Sequence, residues 1–350
     1  MGGVDEFAGL WDPEPGWLNT ASYGLPPRPA WEALQAALSD WRAGATSWEP
    51  WDESTARSRA SFARMVGADV RDVFVGSTVS AALIPIAAAL PDGAKVLTDD
   101  VEFTSNVFPW KVHEDRGIDV VGVPGDQLVA AIRPGVDLVA VSAVQSSTGV
   151  VLDLPAVVAA SKEVGALVVI DASQALGWLP LTVDGVDVLV AHTYKWLMSP
   201  RGATLGYLSP RLQERCRPMA AGWYAGQDVH GSYYGTRMDL ADGARRFDQS
   251  PAWFCFVGAA PALELVEEIG VETINRHNVD LANEFRAGLG LPPSNSAIVS
   301  TNLPGAQDAF AAAGIRAAVR DGKLRASFHI YSTQADLHQA LTALKPLLNS

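Results

Sequence analysis

The chain has 350 residues, a net charge of −13, and 48% hydrophobic against 19% charged residues. This composition excludes an intrinsically disordered chain, and the length allows one large domain with a smaller one beside it. The acidic balance argues against nonspecific nucleic-acid binding, which needs Lys and Arg on phosphates, and two cysteines (Cys216 and Cys255) without a CxxC pair argue against a disulfide scaffold or a zinc site.

The first 20 residues, with Trp11, Pro13, Pro15 and Trp17, read as an extended arm. Helical patterns follow at 29–43 and 53–66, the second stopped by Gly67. Short apolar runs then alternate with helical stretches. Strands are predicted at 72–75, 95–97, 119–123, 136–144, 166–170, 187–191 and 204–208, with helices at 79–90, 105–116 and 155–164. This alternation implies a mostly parallel sheet covered by helices on both faces. Residues 211–249 are irregular and rich in Gly and aromatics, which suits a long functional loop region. Two long helices are expected at 252–270 and 271–289, followed by a small α+β unit with strands at 298–302 and 323–327. The expected division is an arm (1–20), a large domain (21–250) and a small C-terminal domain (251–350). The most apolar stretch, 73–90, is interrupted by Gly76, Ser77, Thr78 and Pro85, so it falls short of the about 20 apolar residues of a spanning helix. With no basic, apolar leader at Met1–Phe7, a cytoplasmic protein is expected.

Four clusters carry chemistry. Asp171 ends an apolar strand, where open α/β sheets bind ligands; a turn or capping acid is the plainer alternative. Lys195 follows the next strand, between Tyr194 and Trp196. Desolvation there would lower its pKa and make it a Schiff-base nucleophile, whereas a snorkelling surface lysine is the ordinary alternative. Gly76-Ser77-Thr78 runs from a strand into a helix and could bind an anion on backbone N–H groups, or simply cap that helix. It matches neither a Walker loop nor GxGxxG, which disfavours a nucleotide enzyme. Arg325 sits within a strand pattern, where it could grip a carboxylate bidentately or form a surface ion pair.

In this order the clusters resemble the aminotransferase class V superfamily of pyridoxal-phosphate (PLP) enzymes, to which cysteine desulfurases, isopenicillin N epimerase-like proteins and kynureninase belong. The resemblance runs from Leu18-Asn19 to Arg325. It implies the fold type I PLP-dependent transferase architecture: an α/β large domain with a mainly parallel sheet and a smaller C-terminal α+β domain. It implies a homodimer with its active site at the subunit interface. By this resemblance Lys195 forms the internal aldimine with the cofactor, pyridoxal 5'-phosphate, and Asp171 pairs with the pyridinium nitrogen. Gln174 lies near the phenolic oxygen, while Ser77, Thr78 and Tyr194 serve the phosphate. His192 replaces the usual desulfurase Ser, and Ser146 stands where desulfurases often have Asn.

Phe103, in Glu102-Phe103-Thr104-Ser105-Asn106, takes the place of the ring-stacking His, so an aromatic wall remains without acid–base capacity. Arg325 matches the arginine that receives the substrate α-carboxylate. Ser250, in Phe247-Asp248-Gln249-Ser250-Pro251, matches a donor reaching the phosphate from a neighbouring subunit. Tyr23 and the 222–234 loop would shape the substrate pocket or pack at the dimer interface. Asp171 and Lys195 lie 24 residues apart, slightly closer than is usual in the family. Residues 290–325 contain no cysteine, which disfavours a persulfide-relay desulfurase. The expected function is chemistry on a small L-α-amino acid through an external aldimine and quinonoid, with transamination first. The alternatives are a β-eliminating C–S lyase, an epimerase, a kynureninase-like hydrolase and a non-catalytic binding protein of the same fold.

Overall fold

The computed structural model describes residues 3–348. In chain order the large unit contains α1 (Arg28–Ala43), α2 (Glu49–Val66), β1 (Val73–Gly76), α3 (Val79–Ala89), β2 (Lys95–Asp99), α4 (Phe108–Lys111) and β3 (Asp119–Val123). It continues with α5 (Leu128–Ala131), β4 (Leu138–Ser142), α6 (Leu154–Val164), β5 (Leu167–Asp171), β6 (Val188–His192), β7 (Thr204–Leu208) and α7 (Pro210–Arg215). After two long helices, α8 (Trp253–Ile269) and α9 (Val271–Gly288), come β8 (Ile298–Thr301), α10 (Ala306–Ala312), β9 (Ala318–Arg320), β10 (Lys323–Ser327) and α11 (Gln334–Leu348).

Strands β1–β7 form one sheet in the order β1-β7-β6-β5-β4-β2-β3. Pairing is parallel from β6 to β3, and β7 runs antiparallel to both β6 and β1. Its central strands are buried on both faces. Val139, Val141, Val168, Ile170 and Leu189 pack into one apolar cluster, while their alternate neighbours Leu138, Ala140, Val169, Val188 and Val190 pack into another. The period-2 alternation of side chains thus serves two cores, as a helix-covered parallel sheet requires. The small sheet, β8-β10-β9, is antiparallel and has its own cluster around Phe285, Phe310 and Phe328.

The arm joins the small sheet. Leu18 N–H donates to Arg316 (2.9 Å), Ser327 N–H donates to the Leu18 carbonyl (2.9 Å), and Leu18 is buried in the small cluster. Helix α8 packs instead on the large unit: Phe256, Leu263 and Val266 enter its core, and Arg57 and Arg64 of α2 pair with Glu264 and Glu267. Gly270, where φ is 87°, separates α8 from α9, and the change from one core to the other falls within α9: Ile274 still packs with the large unit, whereas Leu281 and Phe285 join the small cluster. The helix predicted at 105–116 is broken into 3-10 turns around the single turn of α4. Pro109 has no N–H to donate, and its ring excludes a helix running on from residue 105.

A buried ion pair fixes the wall behind the strand–helix turn at Ser77. Asp248 is fully buried; its Oδ2 accepts from Arg59 of α2 (2.6 Å) and its Oδ1 from the Val75 N–H (2.8 Å). Arg59 also donates to the Val73 carbonyl. Asp248→Ala leaves the Arg59 guanidinium buried without a counter-charge, so a loss of about 3–5 kcal/mol is expected in urea unfolding; a loss below about 1 kcal/mol would show that the pair is not what holds this wall.

Candidate active site

Parallel register sets the site. Ser142 at the end of β4 stands opposite Asp171 at the end of β5, and Asp171 stands opposite Val190, two residues before His192 at the end of β6. Because β7 is antiparallel to β6, the connection between them needs no crossover helix. Residues 193–203 form a short loop instead, and Lys195 lies on it. That loop is held at several points. Ser199 Oγ donates to Thr193 Oγ1 (2.6 Å), Met198 N–H to the Lys195 carbonyl (3.1 Å), and His329 Nε2 lies 3.0 Å from the Trp196 carbonyl. Gly24 N–H donates to the Tyr194 carbonyl (3.0 Å). A Cβ on Gly24 would stand 1.9 Å from the Lys195 oxygen, so only glycine allows the arm to come this close.

Lys195 is buried, and its Nζ lies 5.7 Å from the ring centroids of both Phe103 and Tyr194. Burial lowers its pKa to about 8; Asp171 opposes the shift, and Arg325, Arg320 and Arg201 add to it. Asp171 is buried too. Its Oδ1 accepts from the Ser173 N–H (2.8 Å), and no described group donates to Oδ2. His192 has its pKa pushed down to about 4, first by burial. It is therefore neutral at pH 7, with Nδ1 3.0 Å from Thr204 Oγ1 and Nε2 accepting from Val79 N–H (3.5 Å) at the start of α3. Thr78 is the N-cap of α3, its hydroxyl accepting from the Ala81 N–H (3.1 Å). Ser77 donates to Gln249 Oε1 (3.3 Å), so the 247–250 stretch lies beside this turn in the same chain. Ser250 is exposed, and no hydrogen bond joins it to the other site residues.

The opposite end of the site is built around Arg325 of β10, which is 1% exposed. Its guanidinium donates to the Ser146 carbonyl (2.6 Å) and to Ser22 Oγ (2.8 Å). Gln174 ties this end to the lysine loop. Its amide donates to the Ala21 carbonyl (2.9 Å) and Ser146 Oγ (3.1 Å), and its oxygen accepts from Trp196 Nε1 (2.9 Å). Tyr23 packs against Tyr194 at a tilt of 48°, with ring centroids 5.3 Å apart.

Sequence reasoning missed Ser22, Gly24, Thr204 and the catalytic-face role of Glu102. Ser22 and Gly24 lie in the aperiodic stretch that follows the arm, which gives no local signal. Glu102 is buried and accepts from the Phe103 N–H (2.7 Å) and the Ser142 N–H (2.6 Å), so it fixes the aromatic wall to the end of β4. Burial raises its pKa to about 7, and Asp171 adds to the rise.

These residues fit pyridoxal phosphate by the chemistry of their donors. A buried amine of lowered pKa faces an aromatic wall, a strand-end carboxylate keeps one oxygen open, and a hydroxyl-rich helix N-terminus suits a phosphate. The chain is 28% identical to the uncharacterized aminotransferase YcbU of Bacillus subtilis, over 93% of this chain and 92% of that one. Its fold matches the apo cysteine desulfurase of Thermococcus onnurineus with a TM-score of 0.87 at 21% identity, covering 100% and 99% of the two chains. It also matches a C-DES mutant with glycine covalently linked to the PLP cofactor, with a TM-score of 0.86 at 19% identity and full coverage of both chains. The family model for aminotransferase class-V matches residues 42–304, so the chain belongs to this family of PLP-dependent enzymes.

Proposed function

We propose that the enzyme acts on a small L-α-amino acid by transamination, with Arg325 holding the α-carboxylate. The observation that carries this reading is the state of Arg325. Its guanidinium is buried, every protein acceptor it meets is neutral, its Nε has no partner, and no described carboxylate pairs with it. Burial and the neighbouring Arg320 pull its pKa down to about 10, a sign of a cation lacking its counter-charge. A substrate carboxylate supplies that charge in the geometry a guanidinium fork prefers.

Bound PLP supplies an electron sink for breaking bonds at the substrate Cα. The chain's own residues do the rest. Arg325 orients the substrate, Lys195 accepts and returns a proton at Nζ, and Asp171 presents its carboxyl group at the strand end. Phe103 covers the lysine from the open side, and His192, neutral, links the end of β6 to the start of α3.

A second reading, β-elimination of a C–S bond, uses the same residues and needs no thiol of the protein. Cys216 is buried with its pKa pushed up to about 11, and Cys255 donates to the Arg201 carbonyl (3.1 Å) on α8. Neither is an activated thiol on a loop before Arg325, so a persulfide relay through the protein has no carrier there. Product analysis with a panel of L-amino acids, with and without a 2-oxo acid acceptor, separates the two. Transamination gives the substrate's own 2-oxo acid in an acceptor-dependent turnover. Acceptor-independent pyruvate, ammonia and thiol would replace this reading by the lyase.

Two further outcomes are expected. Arg325→Gln should raise KM for the amino acid by about 10²-fold or more, the cost of losing a charge-assisted bidentate contact; an unchanged KM would remove the α-carboxylate from this arginine. In cofactor-free protein, acylation of Lys195 by an amine reagent should rise with pH to a plateau, with a midpoint near 8. The sign follows from burial, which disfavours the charged ammonium and frees the neutral amine at lower pH than the about 10.4 of an ordinary lysine. A midpoint near 10 would show that the site does not activate this amine.

A further inference from the structure

Cross-strand pairing in the small sheet collects cations. In the β9–β10 hairpin Lys323 stands directly opposite Arg320, and Arg325 opposite Ala318. Directly opposed residues of an antiparallel pair, and alternate residues along a strand, share one face. Arg320, Lys323 and Arg325 therefore lie on the same face. Like charges placed directly opposite destabilise a sheet unless something offsets them. Nothing in the described chain does. None of the three has an ion pair, whereas Arg57, Arg64 and Arg211 elsewhere pair with Glu264, Glu267 and Asp187. The carboxylate nearest in sequence, Asp321, sits in the hairpin turn at φ 48° and joins no ion pair either.

One hydroxyl joins two of these cations. Ser22 Oγ accepts from Arg325 (2.8 Å) and from Arg320 (3.2 Å). Arg320 is exposed, and besides Ser22 it donates only to the neighbouring Val319 carbonyl (2.8 Å), a neutral acceptor. A third guanidinium, Arg201, lies 5.2 Å over the Tyr194 ring centroid. All three arginines act electrostatically on Lys195. In a chain with a net charge of −13, three arginines without carboxylate partners around one lysine make a local positive field that draws anions in.

We infer that the substrate carries a second negative charge, a side-chain carboxylate, which Arg320 binds while Arg325 holds the α-carboxylate. The ligand class is a dicarboxylic compound: an L-amino acid donor with an acidic side chain, or a dicarboxylic 2-oxo acid acceptor. Arg320 is then the specificity-determining residue, and Ser22 sets the spacing of the two guanidinium groups. This inference rests on the reading of Arg325 given above.

The test is equilibrium binding to the holoenzyme, followed by cofactor absorbance and by titration calorimetry. L-Aspartate and L-glutamate are compared with their neutral isosteres L-asparagine and L-glutamine. A dicarboxylic 2-oxo acid is compared with a monocarboxylic one of equal chain length, offered to enzyme already aminated by a donor. The acids are expected to bind about tenfold or more tighter than the neutral partners, the equivalent of one charge-assisted contact. Arg320→Gln, which can keep a hydrogen bond to Ser22, is expected to abolish that preference by bringing the acids down to the amides. Discrimination among amino acids identifies the donor as the dicarboxylate, and discrimination among 2-oxo acids alone identifies the acceptor; both support the inference. Equal affinities in the unmodified enzyme would overturn it, as would an Arg320→Gln variant that weakens acids and amides by the same factor. A holoenzyme that responds to no α-amino acid would overturn the α-amino-acid reading and this inference with it.

Discussion

The site depends on parallel pairing of β4, β5 and β6. Parallel strands end at the same edge of a sheet, and their register brings Ser142, Asp171 and His192 to that edge together. The sheet then reverses direction once, at β7. This reversal lets an 11-residue loop, rather than a crossover helix, carry Lys195 back over the strand ends. Everything else positions groups against that edge: the arm through Gly24, the small unit through Arg325 and His329, and the Glu102 carboxylate through the end of β4.

Charge is distributed against the chain's average. The protein is acidic overall, yet the space around Lys195 holds arginines without carboxylate partners. The carboxylates at the site are Asp171 and Glu102, both buried. Asp171 opposes the shift of the lysine, and Glu102 has a pKa pushed up to about 7. The two carboxylates stand by the ends of β4 and β5, while the three arginines come from the lysine loop and the small sheet.

Much of the fold was legible because its signals are local. Buried parallel strands are short apolar runs, and amphipathic helices between them show a 3.6-residue period, so the predicted strand at 204–208 and the helix starting at Val79 coincide with β7 and α3. The helix predicted at 105–116 failed where Pro109 interrupts the backbone bonds, and β9 was missed because three residues carry no readable period. At the site, strand-end residues such as Asp171 and Lys195 could be found from the strand that precedes them. Ser22 and Gly24 could not, since each acts on a residue far away in sequence, nor could Thr204, whose contact with His192 depends on the β6–β7 register.

The amino-acid sequence by itself determined the strand–helix alternation, the family resemblance, the lysine, the strand-end acid and the lack of a thiol before Arg325. These are properties of residue type and spacing along the chain. The tertiary structure decided which charges go unpaired. Whether an arginine is neutralised depends on what folds against it, and only the packing of arm, lysine loop and small sheet leaves Arg325 buried among neutral acceptors with Arg320 on the same hydroxyl.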